Sequence, residues 1–186
     1  MSLYGLTKKT KFNQLIKRLS YAEVNAVMMY NSLAQIALEQ GYKEISDELK
    51  KIANQDAVHA GFYATLNGNY SKDFWELLCT LYEGESNGAD FIEKTADELK
   101  AEGLTDAADI MKFFAKQGRS NSKNLKKIIE KYKHKEGNFK VIQHSKIVYR
   151  CTLCGYKYNG DINFEYDDYV CPICGQHKEM FELVKK

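Results

Sequence analysis

The chain has 186 residues, with 27 Lys and Arg against 25 Asp and Glu, and therefore a formal net charge of +2 at pH 7. An apolar fraction of 44% and a charged fraction of 28% are those of a soluble globular protein rather than a disordered one. The nearly balanced charge argues against a protein that binds nucleic acid or membranes with its whole surface. No apolar stretch reaches the roughly 18 residues of a membrane span, and the N-terminus lacks the apolar run of a signal peptide. We therefore expect a cytoplasmic protein with no membrane partner.

The single proline, Pro172, lies close to the C-terminus. Average usage would give about nine prolines in such a chain, and their absence from the first 171 residues permits long unbroken helices. An all-β protein rich in turns is therefore excluded. Hydrophobic periodicity predicts four helices, joined by short connections that make neighbouring helices antiparallel in a four-helix bundle. The predicted helices are Lys11–Gln40, Tyr42–Leu66, Ser71–Glu102 (with Ser71 as N-cap) and Thr105–Lys133.

Cysteine usage marks a second domain. Four of the five cysteines lie in the last 36 residues, and only Cys79 lies elsewhere. A polar segment interrupts the helical pattern at Gly137, so we predict a helical bundle over 1–136, a linker over 137–146 and a small domain over 147–186. That last domain is too short to fold on a hydrophobic core alone. Its aromatic residues would shield a bound metal: Tyr149, Tyr156, Tyr158, Phe164, Tyr166, Tyr169 and Phe181.

Polar residues occupy positions at which the predicted helix seams require apolar ones. On the second helix, Asp56 and His59 continue an apolar stripe at spacings of three and four, so both are predicted to face the bundle interior. The stripes of the first and third helices place Glu23 and Glu85 there as well. Three carboxylates and a histidine are costly to bury unless a metal, protons or hydrogen bonds compensate. A carboxylate together with a carboxylate-x-x-His pair is the ligand pattern of di-iron bundles.

The remaining seam positions do not complete a two-metal site. The fourth helix has Gly118 and Asn121 at mid-length, and the third helix has Gly88 one turn after Glu85. None of these three residues supplies a carboxylate or an imidazole, so the sequence predicts half of a di-iron site. The alternative interpretation is a set of satisfied polar core contacts without metal.

The C-terminal cysteines form two Cys-x-x-Cys pairs, Cys151 with Cys154 and Cys171 with Cys174. Each pair presents two sulfurs to one tetrahedral ion, and in an intracellular protein this spacing favours a metal over disulfides. The spacing fits mononuclear iron and zinc equally. A glycine follows each pair and lets the backbone turn its N–H groups toward sulfur.

The end of the fourth helix is basic, with six lysines between positions 123 and 135. We interpret this run as a solvated face leading into the linker. An anionic partner, including nucleic acid, is the alternative.

Together these residues resemble the rubrerythrin family, in which a ferritin-like four-helix bundle precedes a rubredoxin-like domain. The segments CTLCGYKYNG, YVCPICG and MFELV are similar to rubredoxin. In the helices, the resemblance places Glu23 at a terminal iron ligand, Asp56-Ala-Val-His59 on a Glu-x-x-His motif and Glu85 on a third-helix ligand. The family's other ligands fall at Gly88 or Asn87, at Gly118 and at Asn121, so the resemblance implies a degenerate di-iron site.

The resemblance implies a mainly α, non-haem iron redox protein. It implies a rubredoxin-type Fe(Cys)4 site, with zinc possible in place of iron, and a single metal or incomplete metal pair at Glu23, Asp56, His59 and Glu85. The four thiolate ligands would be Cys151, Cys154, Cys171 and Cys174. Members of the family are usually cytoplasmic homodimers that reduce hydrogen peroxide with electrons from an NAD(P)H-dependent donor protein or flavoprotein. We therefore expect electron transfer through the cysteine site, with residual peroxide reduction in the bundle.

Two other functions stay open at this point. One is a non-catalytic binding or regulatory module, made of a zinc ribbon and a metal-poor bundle. The other is a metal sensor or iron-handling protein that uses the half site without turnover.

Overall fold

The computed structural model describes residues 2–133, 147–165, 167, 169–171 and 174–185. Four long helices come first, and a small module of short strands follows, which confirms the mainly α fold class. The helices are α1 (Asn13–Glu39), α2 (Lys43–Asn67), α3 (Phe74–Ala101) and α4 (Thr105–Lys133). The strands are β1 (Val148–Cys151), β2 (Lys157–Asn159) and β3 (Phe181–Lys185), with 3-10 turns at Ile162–Phe164 and Lys178–Met180. The predicted linker, 137–146, lies outside the described residues.

The observed helix ends lie within three residues of the predicted ones. The largest difference is the start of α3, where Asp73, and not Ser71, is the N-cap. The Asp73 carboxylate accepts hydrogen bonds from the backbone N–H groups of Trp75 and Glu76, at 2.9 and 3.0 Å. A charged acceptor that satisfies two otherwise unpaired N–H groups is a stronger cap than a serine two residues earlier.

The chain divides into two compact units, Met1–Lys72 and Asp73–Lys186. The first unit is a hairpin of α1 and α2. Asn13 Nδ2, at the start of α1, donates to Asn67 Oδ1 at the end of α2 over 3.1 Å, and Ser20 Oγ donates to the Ala60 carbonyl over 3.3 Å. These contacts show that α1 and α2 are antiparallel.

The second unit contains a hairpin of α3 and α4 together with the strand module. Lys112 pairs with Asp97 at 2.8 Å near the turn, and Ser122 Oγ donates to the Tyr82 carbonyl over 3.5 Å farther along. These two helices are therefore antiparallel as well.

Small residues form the seam of each hairpin. Buried positions recur at intervals of seven along α2, at Ser46, Ala53 and Ala60, and along α4, at Ala108, Ala115 and Ser122. Small side chains at this spacing let two helices approach closely.

This packing corrects the predicted seams, which consisted of larger apolar residues. The stripes that carry Glu23, Asp56, Glu85 and Gly118 were predicted to face the bundle interior. They also contain Leu15, Ile45, Phe74 and Phe114, yet each of these four apolar residues is more than half exposed in the single chain. These four residues thus lie beside the hairpin seams, because small residues occupy the line of closest approach, whereas Leu78 of the predicted α3 stripe is buried.

The strand module is a three-stranded antiparallel sheet in the order β2-β1-β3. Tyr149 pairs with Tyr158 on one side, and Cys151 pairs with Phe181 on the other. The module's core consists of cysteines, Ile162 and Phe181, with tyrosines packed around it. Phe164, which was expected to join this core, is 90% exposed.

No helix in the described part of the chain combines the length and hydropathy that a membrane span requires.

Candidate metal centre

Four cysteine sulfurs meet inside the C-terminal module. Cys151 Sγ lies 3.5 Å from Cys174 Sγ, and Cys154 Sγ lies 3.5 Å from Cys171 Sγ. All four sulfurs lie within 4.8 Å of one another. A tetrahedral ion with metal–sulfur bonds of about 2.3 Å requires sulfur–sulfur distances of about 3.8 Å, so this donor set fits zinc or mononuclear iron.

The two cysteine turns have the same local geometry. The N–H of Gly155 donates to the Cys151 carbonyl and the N–H of Gly175 donates to the Cys171 carbonyl, each over 2.9 Å. Both glycines have positive φ, 74° and 72°, which side chains with a Cβ rarely adopt. The glycine after each pair is therefore needed to close the turn that presents two sulfurs in one direction.

The four cysteines differ in solvent exposure. Cys151, Cys154 and Cys171 are buried, whereas Cys174 is partly exposed. The hydrogen bond with Cys171 and burial raise the pKa of the Cys154 thiol, and burial raises the pKa of Cys174 to about 11. Without metal, these two sulfurs are thus held as neutral thiols at neutral pH, and a metal must displace their protons to bind.

Aromatic rings close the site from solvent. Tyr158 stacks edge-to-face on Tyr169 at 5.6 Å between ring centroids, and Phe181 contacts Tyr169 at 6.0 Å and Tyr156 at 6.2 Å. Burial raises the pKa of Tyr156 and Tyr169, so both phenols stay neutral. The rings packed around the sulfurs are consequently uncharged.

A second group of metal-ligating side chains lies on the α1–α2 hairpin. One donor atom each from Glu23, Asp56 and His59 lies within 4.8 Å of the others. His59 Nδ1 is 3.7 Å from Glu23 Oε1 and 3.6 Å from Asp56 Oδ1. The two carboxylates are mostly covered, but the His59 side chain is 55% exposed, so it does not point into a closed interior in the single chain.

The fourth predicted helical ligand, Glu85, lies in the other compact unit. Its Oε1 accepts a hydrogen bond of 3.4 Å from Asn121 Nδ2, and a Cβ built on Gly118 would lie 3.5 Å from its Oε2. Gly118 and Asn121 therefore face the Glu85 carboxylate, as the seam argument predicted. Gly118 leaves space beside the Glu85 carboxylate and Asn121 donates an amide N–H to it, so neither residue supplies a metal ligand.

Comparison with known proteins bears on the cysteine module. Residues 149–182 match the family model described as "Rubrerythrin, rubredoxin-like domain". A protein of Methanocaldococcus jannaschii, described as uncharacterized, is 27% identical over 128 residues, which cover 69% of this chain and 91% of that protein. The aligned length is more than three times that of the family match, so the likeness to this relative extends into the helices.

The rubredoxin-like module contacts α3 of its own compact unit, a contact that the sequence did not reveal. Lys157 Nζ in β2 lies 3.4 Å from Glu83 Oε2. Asn87 packs so closely on Gly155 that a Cβ built there would lie 2.6 Å from Asn87 Cγ. Since Gly155 directly follows Cys154, the buried side of the cysteine site lies against the stretch of α3 that carries Glu85. Glu83 and Asn87 are polar residues on a helix surface, and no hydrophobic periodicity distinguishes them from solvent-exposed positions. The sequence therefore contained no signal for this contact.

The basic run of α4 forms local contacts in the structure. Lys126 lies 3.8 Å from Glu130, and Lys131 lies over the Tyr132 ring at 5.0 Å. Lys135 lies outside the described residues. These contacts suit the solvated face that the sequence favoured.

Proposed function

We propose that this protein transfers electrons through one iron ion held by Cys151, Cys154, Cys171 and Cys174. The observation that carries this proposal is the convergence of four sulfurs within 4.8 Å in a module that matches a rubredoxin-like family model. Iron in such a site supplies a one-electron couple between its ferric and ferrous states. The chain's own residues hold the sulfurs in place and bury three of the four cysteines.

We propose an entry side and an exit side for the electron at the cysteine site. Cys174 is the partly exposed ligand, so a donor protein reaches the site most directly there. Cys154 belongs to the other Cys-x-x-Cys pair, and Gly155, the residue after it, packs on Asn87 of α3. We assign the donor role to an NAD(P)H-dependent electron donor protein or flavoprotein, and the exit to the helices.

We propose a second metal site at Glu23, Asp56 and His59, because two carboxylates and an imidazole already lie together there. Residual reduction of hydrogen peroxide would take place at this site. That reaction converts one peroxide and two protons to two waters and consumes two electrons, which the donor protein supplies through the cysteine site. Glu23, Asp56 and His59 would each offer one ligand atom to the metal, and the site is open to solvent on the side of the exposed His59.

Metal counting on protein reconstituted with iron under anaerobic conditions tests both sites. We expect visible thiolate-to-iron absorption that bleaches on reduction and returns on oxidation, and more than one metal per chain. Cys151→Ser should remove the visible bands and leave the helical metal, whereas Glu23→Ala should do the opposite. A colourless protein that retains only zinc would refute electron transfer and support the regulatory module.

A further inference from the structure

Two contacts hold the rubredoxin-like module on α3, and each one changes the surroundings of the cysteine site. Lys157 Nζ lies 3.4 Å from Glu83 Oε2. A Cβ built at Gly155 would lie 2.6 Å from Asn87 Cγ, so the Asn87 side chain fills the space that a side chain at position 155 would need. Gly155 itself is buried.

The Asn87 contact covers one side of the first cysteine turn. Gly155 directly follows Cys154, and its N–H donates to the Cys151 carbonyl over 2.9 Å. In the docked module this turn lies against a helix, whereas in a module away from α3 it would lie against water. Water around a thiolate-bound metal favours the state with the larger charge, because solvation stabilises that state more.

The ion pair offsets a positive charge close to the site. The backbone of Lys157 pairs with that of Arg150, the residue before Cys151. Away from α3, the Lys157 ammonium would attract negative charge on the sulfurs. Docking places the Glu83 carboxylate beside this ammonium and weakens that attraction.

Electron transfer changes the net charge of the cysteine site by one. Four thiolates give one net negative charge with ferric iron and two with ferrous iron. Both contacts therefore make the added electron less favourable in the docked module than in a released one. Because such a coupling acts equally in both directions, the added electron must also make docking less favourable.

We propose that α3 binds the module more tightly in the ferric state than in the ferrous state, so that reduction loosens the docked module. Asn87 and Glu83 are the positioning residues of this coupling. Release is thus favoured in the state in which the module has an electron to deliver. The inference rests on the proposed iron site, although its first test uses ions that do not change oxidation state.

Gallium and zinc separate the charge of the site from electron transfer. Gallium(III) reproduces the charge of ferric iron and zinc(II) that of ferrous iron, and both ions are diamagnetic, so NMR can observe the full chain with either. Backbone relaxation gives the docked fraction, because a released module tumbles faster than the α3–α4 hairpin. We expect the docking equilibrium constant to be about tenfold larger with gallium, and a stronger nuclear Overhauser contact between the Asn87 side-chain amide and Gly155. Equal docking with the two ions would overturn the proposal.

A variant that releases the module should shift the reduction potential of the iron-loaded protein. Asn87→Trp adds bulk where the native side chain already lies against Gly155, and it changes no charge. At a fixed solution potential we expect its ferrous-to-ferric ratio to be about tenfold higher, equal to about 59 mV for one electron. Asn124→Trp, the same substitution at an exposed position of α4, should leave the ratio unchanged.

The outcomes distinguish this inference from the proposed function. Iron that does not cycle between its two states refutes electron transfer and the inference with it. Iron that cycles reversibly, with the same ratio in Asn87→Trp as in the native protein, refutes only the coupling to docking. A rise of equal size in Asn124→Trp refutes the coupling as well.

Discussion

Asn87 of α3 lies directly against Gly155, the residue that follows Cys154 in the first cysteine turn. A Cβ at Gly155 would lie 2.6 Å from Asn87 Cγ and 2.7 Å from Asn87 Cβ. Rotating the amide cannot relieve the second contact, because the Asn87 Cβ is fixed to the helix backbone. The cysteine site and α3 are thus fitted to each other through a position that tolerates only glycine.

Gly155→Ala should be more damaging than Gly175→Ala. Both substitutions place a side chain at positive φ, which costs about 1 to 2 kcal/mol. Only Gly155→Ala also drives a methyl group into Asn87, whereas no atom of the described residues lies within 4 Å of a Cβ at Gly175. Denaturant unfolding of the metal-loaded protein should show the larger loss for Gly155→Ala.

Asn87→Gly should rescue the Gly155→Ala variant in part, because it removes the side chain that the new methyl group meets. The backbone strain at position 155 would persist, so the double variant should resemble Gly175→Ala. Equal losses in both single variants, with no rescue, would show that the α3 contact contributes nothing.

Charge exchange tests the second contact between the module and α3. Lys157 and Glu83 are each about half exposed, so a single charge reversal should weaken the docking modestly and in a salt-dependent way. Glu83→Lys combined with Lys157→Glu should restore the contact. Hydrogen exchange of the β2 amides, compared at low and high salt, would measure how strongly the module docks on α3. Protection of these amides that Glu83→Lys leaves unchanged would argue against a docked module.

The sequence was sufficient for the cysteine site because a Cys-x-x-Cys-Gly turn is a local structure. Its geometry at Cys151–Gly155 follows from five consecutive residues. The helices were likewise predictable, and α4 has the predicted bounds, Thr105–Lys133. The hairpin seams could not be predicted, because Ile45 and Ile52 are more hydrophobic than the buried seam residues Ser46 and Ala53. Close helix approach depends on small volume, which a hydrophobic pattern does not register.

Lengthening the carboxylate at position 56 should strengthen the helical metal site. Asp56 Oδ1 lies 3.6 Å from His59 Nδ1, and a glutamate reaches about one methylene farther toward a shared ion. We expect Asp56→Glu to lower the dissociation constant for ferrous iron about tenfold, equal to about 1.4 kcal/mol. Asp56→Asn, nearly identical in size, should raise it by a similar factor. Calorimetric titration, with the cysteine site already filled, measures both, and equal affinities would exclude position 56 from the metal site.

Asn121→Asp should create a repulsion at Glu85. The Asn121 amide now donates to Glu85 Oε1 over 3.4 Å, and a carboxylate there would place two negative charges together. The free energy of unfolding at pH 7 should fall by roughly 1 kcal/mol, as expected for like charges near solvent. The loss should shrink at high salt, because ions screen the repulsion between the two carboxylates. Asn121→Ala, which removes only the hydrogen bond, should show no such recovery in salt.

Metal binding to the cysteine site should depend steeply on pH. Burial raises the pKa of Cys174 from 9.0 to about 11, and the Cys154 thiol is raised as well, so the metal-free site holds its protons at pH 7. Zinc affinity should therefore rise more than tenfold per pH unit between pH 6 and 8, because more than one proton is released. Competition with a chromophoric chelator at several pH values would measure this slope.

The same raised pKa values predict how the metal-free protein responds to alkali. In the unfolded chain these thiols ionise near pH 9, whereas in the folded chain Cys174 ionises only near pH 11. The unfolded state thus loses protons first, and the stability of the metal-free module should fall between pH 9 and 11. Cys174→Ser should flatten that part of the profile under reducing conditions with a chelator present. A metal-free profile that is flat in the native sequence would mean that the four sulfurs do not converge until the metal binds.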